Sequence, residues 1–218
     1  MRFDAVIFDL DGTLTDSAPG LYDCIRVMHD EMGWEAPAES DLRFWLGPPV
    51  STTLGELGYE QSAIEQGLAI FRRHLHAEGL QNNSVYQGVP ELLSALTEAG
   101  IPSAVATFKI DDDAQRVIDH FTMRERFAGV HGRLGDEAGH SKAPVIARAM
   151  ESIGIEPSQR VAMVGDRKHD ASSALELGLT PIGVTYGYGD VEELRNAGAV
   201  HIVDSVDALR NLLLDTAE

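Results

Sequence analysis

From about residue 85 to the C-terminal end, two hydrophobic patterns alternate along the chain. Short β-branched or apolar runs occur at Ser103-Ala-Val-Ala-Thr107, Arg160-Val-Ala-Met-Val164, Pro181-Ile-Gly-Val184 and Val200-His-Ile-Val203. Between them lie helical spacings: Val89, Leu92, Leu93, Leu96, then Val145, Ile146, Ala149, Ile153, then Val206, Leu209, Leu213. With the N-terminal run Ala5-Val-Ile-Phe8 this predicts about five strands joined by helices. Strands that are apolar throughout, separated by helices, imply a parallel sheet covered on both faces, a Rossmann-like three-layer α/β core.

The stretch from roughly residue 18 to 80 has a different rhythm. Leu21, Ile25, Met28 and Met32 repeat at i, i+4, i+7, i+11, and so do Ile64, Leu68, Phe71 and Leu75. Val50, Leu54 and Leu57 make a shorter version, and no strand pattern interrupts them. This predicts a helical module, residues 18–82, inserted into a core built from residues 1–17 and 83–218. The turn-rich segments Ser17-Ala-Pro-Gly20 and Gly79-Leu-Gln-Asn-Asn-Ser84 are its expected hinges.

Composition narrows the function classes. Hydrophobic residues at 44% and charged residues at 24% fit a folded globular chain rather than a disordered one. The charged start, and the absence of about 18 uninterrupted apolar residues, predict neither a signal peptide nor a membrane span, hence a cytoplasmic protein. A net charge of −18 disfavours nucleic-acid backbones and anionic lipid as partners. It also repels phosphorylated metabolites, so an anionic substrate requires a bound cation and a few placed lysines. Cys24 is the only cysteine, which excludes an internal disulfide, and it sits on an apolar helix flank.

Ligands of open parallel α/β sheets bind beyond the carboxyl ends of the strands. The polar residues just after each apolar run therefore nominate the site. Asp9-Leu-Asp11-Gly-Thr13 comes after the first run and Thr107 ends the second. Gly165-Asp166 comes after the Arg160–Val164 run, with Asp170 four residues on, and Lys142 opens the preceding helix. Clustered carboxylates repel by ~4 kcal/mol per pair at about 4 Å and an effective dielectric of ~20. Such a cluster raises pKa values or binds a divalent cation, and all-oxygen ligands suit a hard ion such as Mg2+.

These motifs, in this order and spanning nearly the whole chain, resemble the haloacid dehalogenase superfamily. The inserted helices resemble its α-helical cap. The resemblance implies that Asp9 is a nucleophile forming an aspartyl-phosphate and that Asp11 is a general acid and base. It makes Thr107 and Lys142 phosphate-binding groups, with Lys109 as the rival lysine. It assigns Mg2+ to Asp9, the Asp11 backbone carbonyl and Asp166, with Asp170 in or just outside that shell. An aspartate at position 11 points to phosphatases or phosphomutases rather than dehalogenases.

In the cap, Leu46-Gly-Pro-Pro-Val50 is stiffened by two prolines, and it resembles the loop of a subgroup described both as 5′-nucleotidase-like and as phosphoglycolate phosphatase. Gly47, Pro48 and Arg43 are the substrate-selecting candidates. The expected substrate is a small phosphorylated metabolite, either a nucleoside 5′-monophosphate or phosphoglycolate, and the alternative activity is that of a phosphomutase. Asp111-Asp-Asp113 reads as a solvated helix start, and Gly187-Tyr-Gly189 as a turn without chemistry.

Overall fold

The computed structural model describes residues 3–134 and 141–214. The chain begins with β1 (Ala5–Phe8) and passes through the two-residue β2 (Thr15–Asp16). Helices α1 (Ala18–Met32), α2 (Val50–Glu56) and α3 (Gln61–His74) come next, and the chain returns through β3 (Ser84–Val85). Then come α4 (Val89–Glu98), β4 (Ser103–Ile110), α5 (Asp111–His120), β5 (Val130–Arg133) and α6 (Ala143–Ile153). The order ends with β6 (Val161–Gly165), α7 (Lys168–Glu176), β7 (Thr180–Val184), α8 (Val191–Asn196), β8 (His201–Val203) and α9 (Val206–Leu214).

Six strands form one parallel sheet in the order β5-β4-β1-β6-β7-β8. β1 lies inside it, pairing Phe8 with Val105 on one side and with Val164 on the other. Its alternate residues show why its sequence is apolar throughout. Ala5 and Ile7 join Ala104, Ala106, Val161 and Met163 beneath α6 and α7. Val6 and Phe8 point the opposite way and are equally buried. The fold is thus a Rossmann-like α/β sheet flanked by helices.

The sequence pattern predicts about five strands, and the sheet has six. The additional one, β5, reads Val-His-Gly-Arg and alternates buried with half-buried positions at the sheet edge. It is too short and too polar to stand out as an apolar run. The acidic triplet also differs from expectation. Asp112 is exposed, but Asp113 is buried and the Asp111 carboxylate accepts the Gly132 N–H at 2.8 Å.

The chain divides into two compact units, one of residues 1–15 and 85–218 and the other of residues 16–84. The second is helical with its own core, in which Cys24, Ile25, Met28, Leu42, Trp45, Leu54, Ile64, Phe71 and Leu75 are buried. Arg73 lies on the outer face of α3, paired with Glu31 at 2.5 Å. No helix is long and apolar enough to cross a membrane among the described residues.

Candidate active site

The buried strands of the core deliver polar residues at their carboxyl ends. Asp9 comes directly after β1, Thr107 ends the buried stretch of β4, and Asp166 comes directly after β6. Lys142 immediately precedes α6, and Asp170 lies in the first turn of α7. The Ser141 hydroxyl accepts the Ala143 N–H at 3.2 Å, tying down the turn that presents the lysine. Ser173 adds a 2.8 Å hydrogen bond from the Lys142 N–H.

Asp9, Asp166 and Asp170 are all buried, each with a carboxylate oxygen within 4.8 Å of the others'. The Lys142 ammonium bridges two of them, at 2.8 Å from Asp9 Oδ2 and 2.5 Å from Asp170 Oδ1. It lies 5.3 Å from the centroid of the Phe108 ring. Burial alone lowers the lysine's pKa, but Asp170 and Asp9 outweigh it and hold the group firmly protonated. Burial pushes Asp9 up, Lys142 opposes this, Asp170 adds to it, and the result is about 6. Asp166 is raised well above its ordinary value, first by burial and then by the charges of Asp9 and Asp170.

The donor set fits a hard divalent cation. Asp166 is fully buried, and its hydrogen bonds come from uncharged donors, the Tyr188 N–H at 2.7 Å and the Thr13 hydroxyl at 3.4 Å. Lys142 balances at most part of the charge of three carboxylates. No group of three potential ligands containing a histidine or cysteine occurs among the described residues. Oxygen-only ligation with excess negative charge matches Mg2+ rather than zinc.

Gly12 shows how tightly the loop after β1 is drawn against this cluster. Its φ of +80° favours glycine, and a Cβ there would overlap the Asp166 carboxylate. A second glycine segment, the turn Gly187-Tyr-Gly189, packs against the same carboxylate. A Cβ on Gly187 would overlap the Gly12 carbonyl oxygen and lie 2.6 Å from Asp166 Cβ, and one on Gly189 would overlap the Asp166 carbonyl. Tyr186 donates its hydroxyl hydrogen to the Thr13 carbonyl at 3.1 Å. The sequence signal was the pair of glycines flanking a tyrosine after β7.

Gly187→Ala should therefore push this loop off Asp166. We expect an overpacking cost of about 1–3 kcal/mol in thermal unfolding and a larger proportional loss of turnover than of stability. Unchanged rates in the folded variant would show that the loop does not set the site's geometry.

Lys109, the rival to Lys142 as phosphate lysine, is paired with the Asp11 carboxylate. Its ammonium lies 2.8 Å from Asp11 Oδ2, with the lysine side chain only 6% exposed. The cap candidates Gly47, Pro48 and Arg43 belong to the helical unit, where Arg43 is exposed on a 3-10 turn and Trp45 is buried in the core.

Comparison with known proteins matches this architecture. Residues 6–184 match the haloacid dehalogenase-like hydrolase family, and the chain belongs to it. Within that family it is a phosphatase. The 5′-nucleotidase of Pseudomonas aeruginosa is 31% identical over 98% of this chain and 96% of its own. Tyrosine-protein kinase PtkA of Mycobacterium tuberculosis is 37% identical over 95% of this chain and 72% of its own. Further relatives are named phosphoglycolate phosphatase. The crystal structure of a predicted phosphatase from Clostridium acetobutylicum superimposes with a TM-score of 0.90 at 36% identity, covering 97% of this chain and 98% of that one.

Proposed function

We propose that this phosphatase hydrolyses a small phosphomonoester through a phosphoryl group carried on Asp9, with Mg2+ as cofactor. The observation that supports it best is the buried triangle of Asp9, Asp166 and Asp170 with Lys142 set between two of its members. Asp9 attacks phosphorus while the ester oxygen departs with a proton from Asp11. Water then gives a proton back to Asp11 and attacks the aspartyl-phosphate, releasing inorganic phosphate and restoring the Asp9 carboxylate. Thr107 and Lys142 neutralise and orient the phosphoryl oxygens. Asp9, Asp166 and the Asp11 carbonyl would hold the metal, with Asp170 in or beside its shell. When bound, Mg2+ supplies charge stabilisation to the transferring phosphoryl group.

For the substrate we propose a nucleoside 5′-monophosphate ahead of phosphoglycolate. Similarity to the P. aeruginosa 5′-nucleotidase over almost the full length of both chains favours this order. A phosphate-release screen across nucleotides, phosphoglycolate and sugar phosphates tests it. Isomerisation of a sugar phosphate without phosphate release would identify a phosphomutase, and transfer to a tyrosine hydroxyl would place the acceptor in protein instead of water.

Selection among these substrates is assigned to the helical unit, a mobile cap in this reading. Its chain leaves the core just after the Asp9 motif and returns before β4, so closure can exclude water from the reaction. Pro48→Ala should change the ranking of natural substrates several-fold while leaving hydrolysis of p-nitrophenyl phosphate within about twofold. Initial rates on the two substrate sets check this, and equal losses on every substrate would remove the loop from selection.

A further inference from the structure

One buried cation near the site lies outside the carboxylate triangle and its lysine. The Lys109 ammonium is 2.8 Å from Asp11 Oδ2, and the other carboxylate oxygen, Oδ1, is buried with no hydrogen-bond partner. The two oxygens of Asp11 are thus inequivalent. One is fixed by a charge-assisted contact, and the other is kept from water and unengaged.

The backbone that carries Lys109 is itself held in an irregular place. β4 and β5 pair Ala106 with His131 and then Ile110 with Arg133, so β4 spends two more residues than β5 across this interval. Bulges of this kind re-aim side chains beside active sites. β5 accommodates the bulge with Gly132, where a Cβ would lie 2.5 Å from the Lys109 carbonyl oxygen and 2.5 Å from Asp111 Cα. The Asp111 carboxylate and the Arg148 guanidinium pin the Gly132 N–H and carbonyl at 2.8 and 2.6 Å.

We propose that Lys109 is a positioning residue for proton transfer: it holds Asp11 by Oδ2 and thereby presents Oδ1 to the departing ester oxygen. This rests on the role proposed above for Asp11. It gives the bulge, Gly132 and Asp111 a common purpose, which is to fix the lysine that fixes the acid. A carboxyl released from Lys109 samples other rotamers, so the steps in which Asp11 gives or takes a proton suffer most.

The test compares leaving groups. An alkyl phosphate needs protonation of its departing oxygen, whereas p-nitrophenyl phosphate does not. Lys109→Met should lower kcat/KM, which reads the step that expels the leaving group, by about ten- to a hundredfold on the alkyl ester and by less than about threefold on p-nitrophenyl phosphate, below the roughly 10²–10⁴-fold of a lost general acid because the acid is misplaced rather than removed. Lys109→Arg, which retains the cation, should recover much of the difference, and Lys109→Gln supplies the same ratio if the methionine variant folds poorly. Adding Lys109→Met to Asp11→Asn should cost nothing further on the alkyl ester. Equal losses of kcat/KM on both esters would make Lys109 a phosphate-binding group and overturn the proposal. If Asp11→Asn itself shows no leaving-group dependence, the assignment of Asp11 fails. If Asp11→Asn shows it and the Lys109 variants without the cation do not, Lys109 alone is misassigned.

Discussion

Asp9→Asn should abolish turnover, lowering kcat by at least about a thousandfold, because the amide cannot form the covalent phosphoryl intermediate. The same substitution should leave the metal-free protein at least as stable as the parent at pH 7. Asp9 has its pKa raised from 3.8 to about 6, chiefly by burial. A carboxyl held above its unfolded value favours folding while protonated, and that advantage disappears as pH rises from about 4 to about 6. Ionised at neutral pH, it opposes folding by on the order of 3 kcal/mol. An asparagine carries no such charge, and Lys142 retains Asp170 as its partner. Single-turnover rates and thermal unfolding without metal check the two halves together. A variant retaining a tenth of the parent rate would exclude Asp9 as nucleophile, and a lower melting temperature would mean that the Asp9–Lys142 pair is worth more than the burial it costs.

The legible part of this sequence is set by where its apolar residues are concentrated. β1, β4, β6 and β7 are covered on both faces, so their residues are apolar without alternation and their ends are marked by the first polar residue. That rule nominates Asp9, Thr107 and Asp166, and the structure gathers Asp9, Asp166, Asp170 and Lys142 around one point. β5 escapes because an edge strand needs only one buried face, and because Gly132 is present for the Lys109 backbone rather than for strand propensity. The contact between Lys109 and Asp11 escapes for another reason. It joins the ends of two neighbouring strands through a bulge, and bulges leave no periodic trace. Gly187 and Gly189 are visible as glycines, but only the distance to Asp166 tells a turn from a wall of the site.

Removing metal should have an effect as large as removing the nucleophile. Excess EDTA should reduce turnover to below about 1% of the starting rate, and added Mg2+ should restore it, since the three buried carboxylates lack a matching set of cations. A binding readout separates this from catalysis: Mg2+ at about 100 times its Kd should stabilise the fold by roughly 2.7 kcal/mol. That stabilisation should depend on pH in a defined direction. Asp9, near 6, and Asp166, raised well above its ordinary value, are both protonated in acid, and a cation must displace those protons. The apparent Mg2+ affinity should therefore rise as pH increases, by about tenfold per unit for each proton displaced, until the carboxyls are ionised in the metal-free protein. Asp166→Asn removes one of those protons, so its residual Mg2+ affinity should be weaker and should vary less with pH. Melting temperatures at pH 5.5, 6.5 and 7.5, with and without Mg2+, give the slope directly. Full activity in chelator would reject the cofactor. A Mg2+-induced shift independent of pH would instead place the ion away from Asp9, because a ligand that titrates near 6 cannot bind a cation without releasing its proton to solvent.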